Sequence, residues 1–182
     1  MKTEVRRLNP ETRWDFMSLR AYPGCDWCFC VAWHVPIWDG WKERTAAENR
    51  ALRENLFSLG RYDGYLLYVD GRPSGWCQVG PLAWFPKMVG QFGLEGEPEQ
   101  TPVVGCLEII PEYRKRGLSR VLLDAALADL GRSGVRRVLA IPRAGRHEDG
   151  KVWTGPMALF ESRGFKPLRE AGERVVMEFL VP

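Results

Sequence analysis

Apolar positions along the chain follow two regimes, one regular and one not. The regular part lies at the back. Residues 103–110 are apolar except for Gly105 and Glu108, a run of strand length that predicts a strand buried on both faces. In residues 117–131, Leu118, Val121, Leu122, Leu123, Ala125, Ala126, Leu127 and Leu130 cover most of a helix circumference and leave Arg120 and Asp124 on a narrow polar stripe. Such a helix packs broadly against a sheet. A strand over 137–141, a short helix over 156–163 and a strand over 174–181 complete the pattern. Strand, helix and strand in that order require a crossover and at least one parallel pair, which predicts an α/β fold.

The front is less periodic. Residues 5–8 read as a strand and residues 11–20 as a helix. Residues 22–41 hold Trp27, Trp33, Trp38 and Trp41, half of the eight tryptophans. From Thr45 the pattern is helical again: Thr45 and Glu48 have capping-box spacing, Leu52, Leu56 and Leu59 share a face opposite a charged one, and Gly60 can end the helix. Residues 65–69 and 73–79 predict two strands joined at Asp70-Gly71, a hairpin turn. Residues 81–102 are broken by Gly and Pro without a period and predict a long loop.

Composition narrows the class. A length of 182 residues suits one domain spanning 1–182, with about two-thirds of its unfolded surface buried. The hydrophobic share of 45% and charged share of 27% disfavour disorder. No apolar run approaches the roughly 20 residues of a membrane span. Lys2, Arg6 and Arg7 have no apolar stretch behind them, so a cytoplasmic location is expected. A net charge of +3 spread along the chain does not point to nucleic acid and suits an anionic small molecule. The five cysteines are odd in number, and Cys25, Cys28 and Cys30 lie too close together for a disulfide framework, so reduced thiols are expected. With His34 they offer four soft ligands in ten residues, open to zinc binding or to burial among aromatics.

The segment richest in chemistry joins the strand at 103–110 to the following helix. Arg114, Lys115, Arg116, Gly117, Leu118, Ser119 and Arg120 place cations and a glycine at a helix start. Unpaired main-chain N–H groups and the helix dipole there suit a pyrophosphate. The same residues also fit a solvated basic turn. Neither Gly-x-x-x-x-Gly-Lys-Ser/Thr nor Gly-x-Gly-x-x-Gly is present.

Ile109-x-Pro111-Glu112-Tyr113-Arg114-x-x-Gly117-x-Ser119 resembles the acetyl-CoA-binding motif of the GNAT acetyltransferases, with Ser119 in place of the usual final Gly or Ala. Leu159-Phe160-Glu161-Ser162-Arg163-Gly164-Phe165 resembles the family's second signature. The resemblance implies an acyl-CoA N-acyltransferase-like fold, a central mixed twisted sheet flanked by helices, with acetyl-CoA as cosubstrate. It implies that main chain around Ile109 pairs with the pantetheine arm, that residues from Arg114 to Arg120 hold the pyrophosphate, and that an acceptor amine of a small molecule or peptide attacks directly. A homodimer is compatible with it. Glu108, adjacent to Ile109 and on the opposite strand face, is the candidate general base, with a surface ion pair as its other reading.

The resemblance departs at two places. The Tyr that protonates the leaving thiolate in many relatives is Phe160 here, and the Asn that often opens the same helix is Trp153. These keep two further readings open: a non-catalytic CoA-binding or regulatory domain, and a zinc-binding interaction module on Cys25 to His34. The family's acceptor cleft draws on the N-terminal helices and their connecting loop, so Trp27, Trp33, Trp38, Trp41 and Trp76 are candidates for its wall or for the core.

Overall fold

The computed structural model describes residues 1–145 and 152–182. Its strands are β1 (Thr3–Arg7), β2 (Gly64–Val69), β3 (Arg72–Pro81), β4 (Pro102–Ile109), β5 (Arg137–Ala140), β6 (Lys166–Ala171) and β7 (Arg174–Leu180). They form one mixed sheet in the order β1-β2-β3-β4-β5-β7-β6. Among the described residues β4 with β5 is the one parallel pair, the crossover predicted from strand–helix–strand order. The helices are α1 (Arg13–Leu19), α2 (Ala46–Ser58), α3 (Pro86–Phe92), α4 (Leu118–Arg132) and α5 (Met157–Ser162).

Side-chain alternation along the central strands builds two apolar layers. On one face Leu67, Cys77, Leu107 and Ile109 pack against Leu118, Leu122 and Ala126 of α4 and Phe160 of α5. On the other, Leu66, Trp76, Cys106 and Ile110 pack against Phe16 and Leu19 of α1, Trp33, and Phe85, Met88 and Phe92 around α3. Glu108 shares the second face and is the one carboxylate of β4. Local signals also act as written. Asp70 and Gly71 both take positive φ, 49° and 82°, as a type I′ hairpin turn demands. Thr45 and Glu48 make both bonds of the capping box, and Gly60 and Arg61 donate to Phe57 and Leu56 in a Schellman closure of α2.

One expectation is corrected, and two features lie outside what was read from sequence. Residues 81–102 are not one loop: a 3-10 turn at Leu82–Trp84 leads into α3, which opens on Pro86 and closes on Gly93 at φ 60°. Seven residues are too few to display a helical period, though Pro at the start and Gly at the end mark the helix. β6 had no apolar alternation to reveal it, because it is an exposed edge strand that, among the described residues, pairs with β7 alone. The other unread feature is in α2, one of whose charged residues is buried.

On α2 Arg53 is fully buried and Leu59 is exposed. Arg53 donates to the carbonyls of Phe29 and Cys30 at 3.0 and 2.7 Å and to Asp63 at 2.5 Å. Asp63 also accepts from Gln78 at 2.6 Å and pairs with His34 at 2.8 Å. Burial acts to raise the Asp63 carboxyl, but Arg53 and then His34 more than offset it and hold it down at about 2. Phe29 and Cys30 themselves have φ 47° and 48°, a left-handed backbone that costs about 1–2 kcal/mol per residue. Arg53 therefore pins the irregular tryptophan-rich segment to the sheet through its carbonyls.

Candidate active site

β4 and β5 share a register at only two pairs, Val103 with Leu139 and Val104 with Ala140. β4 then continues to Ile109 without β5 beside it, so the sheet opens at its centre. Ile110 donates to the carbonyl of Ser74 on β3 at 3.0 Å, and ladder alternation turns the N–H and carbonyl of Ile109 toward the open edge. Part of that edge is already occupied: Leu107 donates to the carbonyl of Trp153 at 2.8 Å. At Ile109 the carbonyl accepts Nε of Arg114 at 2.9 Å, which folds the basic turn back over the strand end.

The turn itself has the geometry of an anion cradle. Lys115 and Gly117 take φ 59° and 74°, and Gly117 caps α4 without any side-chain hydrogen bond. The N–H groups of Leu118 and Ser119 have no acceptor within the helix. No atom lies within 4 Å of where a Gly117 Cβ would stand. Arg114, Lys115, Arg116 and Arg120 are exposed around this open point, Arg116 resting over the Tyr113 ring at 5.6 Å. A diphosphate fits such a cradle because open space, outward amides and cations coincide.

Glu108 faces a cavity of about 680 Å³ whose lining includes Ile109, Pro111 and Arg114, so the carboxylate and the basic turn border one space. Both Glu108 oxygens are engaged by the front segment. Arg20 Nη2 donates to Oε2 at 2.7 Å, and the Cys25 thiol donates to Oε1. Burial works to lower Arg20, but Cys30 and Glu108 more than offset it and the guanidinium lies above its ordinary value. Burial pushes the Cys25 thiol up to about 12, with the Glu108 charge adding to it. Cys30 runs the other way: a hydrogen bond from the Cys106 thiol lowers it against burial, and Arg20 adds to the lowering. The ion-pair reading of Glu108 is thus realised, but with a buried partner and inside the cavity.

Of the candidate wall residues, Trp27, Trp38 and Trp41 line the cavity, joined by Trp153. Trp33 and Trp76 do not; both are fully buried in the core. Lys87 Nζ sits 3.4 Å from the Trp38 ring centroid and 4.8 Å from that of Trp41, and burial lowers it to about 8. The zinc arrangement does not form. Cys25 faces Glu108 while His34 is turned to Asp63, and among the described residues no three His, Cys, Asp or Glu side chains group to hold a metal. Phe160 is fully buried, edge to face with Phe165.

The family profile described as Acetyltransferase (GNAT) family matches residues 27–150. The chain belongs to this acetyltransferase family. Among solved GNAT-type structures, PaiA N-acetyltransferase of Thermoplasma acidophilum, in complex with coenzyme A, superposes with a TM-score of 0.61 at 16% identity over 99% of each chain. YncA of Salmonella typhimurium, solved with acetyl-CoA, gives 0.61 at 17% identity over 100% of this chain and 95% of that one. At these identities the likeness establishes the shared GNAT fold. A stretch of 91 residues is 32% identical to histone acetyltransferase ESA1 of Yarrowia lipolytica, covering 50% of this chain and 19% of that protein. The chain thus spans about a fifth of that relative's length. Among the described residues no helix is long and apolar enough to cross a membrane.

Sequence reasoning named Glu108, Ile109 and the residues from Arg114 to Arg120; Glu108, Ile109 and Arg114 line the cavity, and Lys115 to Arg120 follow Arg114 into the start of α4. It missed Arg20 and Cys25 as partners of Glu108. They stand 88 and 83 residues away in sequence, and no local spacing announces them.

Proposed function

We propose that the chain, acting as one GNAT domain, transfers an acetyl group from acetyl-CoA to a primary amine of a small molecule or peptide. The observation that carries this reading is one cavity bordered by a carboxylate, by Ile109 on an open strand edge and by Arg114, from which the chain runs into the basic helix start. Coenzyme A and acetyl-CoA, as held by PaiA and YncA, have the chemistry these residues suit: a diphosphate for the cradle and an amide-bearing arm for the Ile109 edge. When bound, acetyl-CoA supplies an activated acyl group. Leu118 and Ser119 N–H groups, with Arg116 and Arg120, hold the diphosphate. Glu108 accepts the proton of the attacking amine, and the tryptophan wall with Arg20 shapes the acceptor side.

The test is release of coenzyme A thiol from acetyl-CoA over a panel of amines. Turnover should fall by about 10²–10⁴ in Glu108→Gln, the usual contribution of general acid–base catalysis. A second reading, a non-catalytic CoA-binding domain, draws on Phe160, which cannot donate a proton to a leaving thiolate. Retained CoA binding without turnover on any amine would favour it. No affinity for coenzyme A at millimolar concentration would sink both.

A further inference from the structure

Of the four tryptophans that line the cavity among the described residues, three already hold one of the protein's own cations. Lys87 Nζ stands 3.4 Å from the Trp38 ring centroid and 4.8 Å from that of Trp41. The Arg174 guanidinium stands 5.0 Å from that of Trp153. Neither Lys87 nor Arg174 belongs to the cavity lining, so both charges lie behind the rings. Lys87 is 1% exposed, and among the described residues its Nζ has no hydrogen-bond partner. The two ring faces are then its main compensation for lost water. A cation on one face draws π density toward itself. The opposite face, toward the cavity, becomes poorer in electrons, so it repels a second cation and attracts an electron-rich ring.

The charges on the cavity side agree. Among the described residues of the lining, Glu108 is the one carboxylate, and Arg20 and Arg114 are the cations. Arg20 donates to Glu108 Oε2 at 2.7 Å and to the Cys30 sulfur at 3.3 Å. Burial raises the Cys25 and Cys28 thiols, which keeps both neutral. The Glu108 oxygens retain lone pairs for one incoming ammonium. A second ammonium on the same molecule meets no further carboxylate among these residues.

We infer that the acceptor is an aromatic monoamine, a single primary amine on a short arm whose ring packs against the wall of Trp38, Trp41 and Trp153. The inference rests on the acetyltransferase reading above and narrows its acceptor. The amine end goes to Glu108 and the ring to the electron-poor faces. A cavity of about 680 Å³ lies in the range that encloses small molecules. Lys87 is then a specificity-determining residue that never touches the acceptor: through the ring between them it rejects diamines and basic peptides. Two unit charges about 7 Å apart, at an effective dielectric of about 20, repel enough to weaken binding by about tenfold or more.

The test compares coenzyme A thiol release for phenethylamine, for cyclohexylethylamine with the same arm on a saturated ring, for phenethylamine bearing a para aminomethyl group, for spermidine and for a lysine-rich peptide. In wild type, kcat/KM for phenethylamine should exceed that for the cyclohexyl amine by about threefold to tenfold, the gain of an aromatic pair beyond its buried area. It should exceed that for the aminomethyl dication by about tenfold or more. Lys87→Met should bring the monoamine-to-dication ratio toward one, through KM rather than kcat, and Lys87→Arg should keep it. Trp38→Leu, at a ring 39% exposed, should erase the preference for phenyl over cyclohexyl and carries the test if Lys87→Met misfolds. Calorimetry with coenzyme A reports whether each variant is folded. Wild type that takes the cyclohexyl amine or the dication as well as phenethylamine overturns the inference, as does an unchanged ratio in folded Lys87→Met. Fastest turnover on spermidine or the peptide overturns it and leaves the acetyltransferase reading standing. Coenzyme A binding without turnover on any amine overturns it in favour of the non-catalytic reading. Failure to bind acetyl-CoA overturns both.

Discussion

Replacing Asp63 by Asn removes a charge, and almost no volume, from beside a guanidinium that cannot reach water. Arg53 and Asp63 side chains are both 0% exposed, so Asp63→Asn leaves the Arg53 charge with only the carbonyls of Phe29 and Cys30 and a neutral amide. Removing one partner of such a pair costs about 3–5 kcal/mol. An independent figure comes from protonation. Lowering the carboxyl from its ordinary 3.8 to about 2 corresponds to about 2 kcal/mol of stability tied to ionisation, at 1.36 kcal/mol per pKa unit. Because the folded value is depressed, this contribution is complete above pH 3.8 and is lost as pH falls toward 2. His34 adds an earlier slope: burial lowers it, against the pull of Asp63, so below pH 6.5 the unfolded chain takes up a proton that the folded one resists. Urea unfolding from pH 7 down to about pH 3 measures both effects. Asp63→Asn should lose about 3–5 kcal/mol at pH 7 and show a shallower decline than wild type below pH 4. The double variant Arg53→Met, Asp63→Leu should not recover the loss in full, because it also strips the Phe29 carbonyl and the His34 ring of their partners, each orphaned buried group costing about 1–3 kcal/mol. A loss below about 1 kcal/mol at pH 7, or an unchanged acid slope, would refute the reasoning.

Gly117→Val places a β-branched residue at φ 74° with no steric neighbour, so its cost of about 1–2 kcal/mol falls on the backbone. If the turn relaxes to relieve it, the amides leave the cradle, and affinity for coenzyme A should drop about tenfold by calorimetry while the fold persists. Unchanged affinity counts against the cradle. Thr45→Ala deletes the α2 cap and should cost about 1 kcal/mol in urea unfolding. Because that cap lies outside the cavity lining, coenzyme A affinity should stay as in wild type.

Legibility in sequence tracked the range of the determining contacts. The hairpin at Asp70-Gly71, the box at Thr45 and Glu48, and the buried strand running into a basic helix start are local events, and each was readable. α3 was not, because seven residues display no period. β6 was hidden because an edge strand needs no apolar alternation. Arg53 stayed unread for a different reason: it is one charge among several on α2, and its acceptors are loop carbonyls 23 and 24 residues away plus Asp63. The candidate site divided along the same line. Its strand edge and cradle were legible in one continuous segment, whereas Arg20 and Cys25 reach Glu108 only through the fold of the aromatic front segment.

The narrow join between β4 and β5 gives the sheet a seam. Four strands stand on one side of it and three on the other, fastened in register by two residue pairs. A carrier lodged in the opening, as proposed above, would act as mortar between two walls, adding about 2.7 kcal/mol to their cohesion at a hundredfold excess over its Kd. The lifetime of the protein against unfolding and proteolysis would then become a readout of the surrounding supply of that carrier.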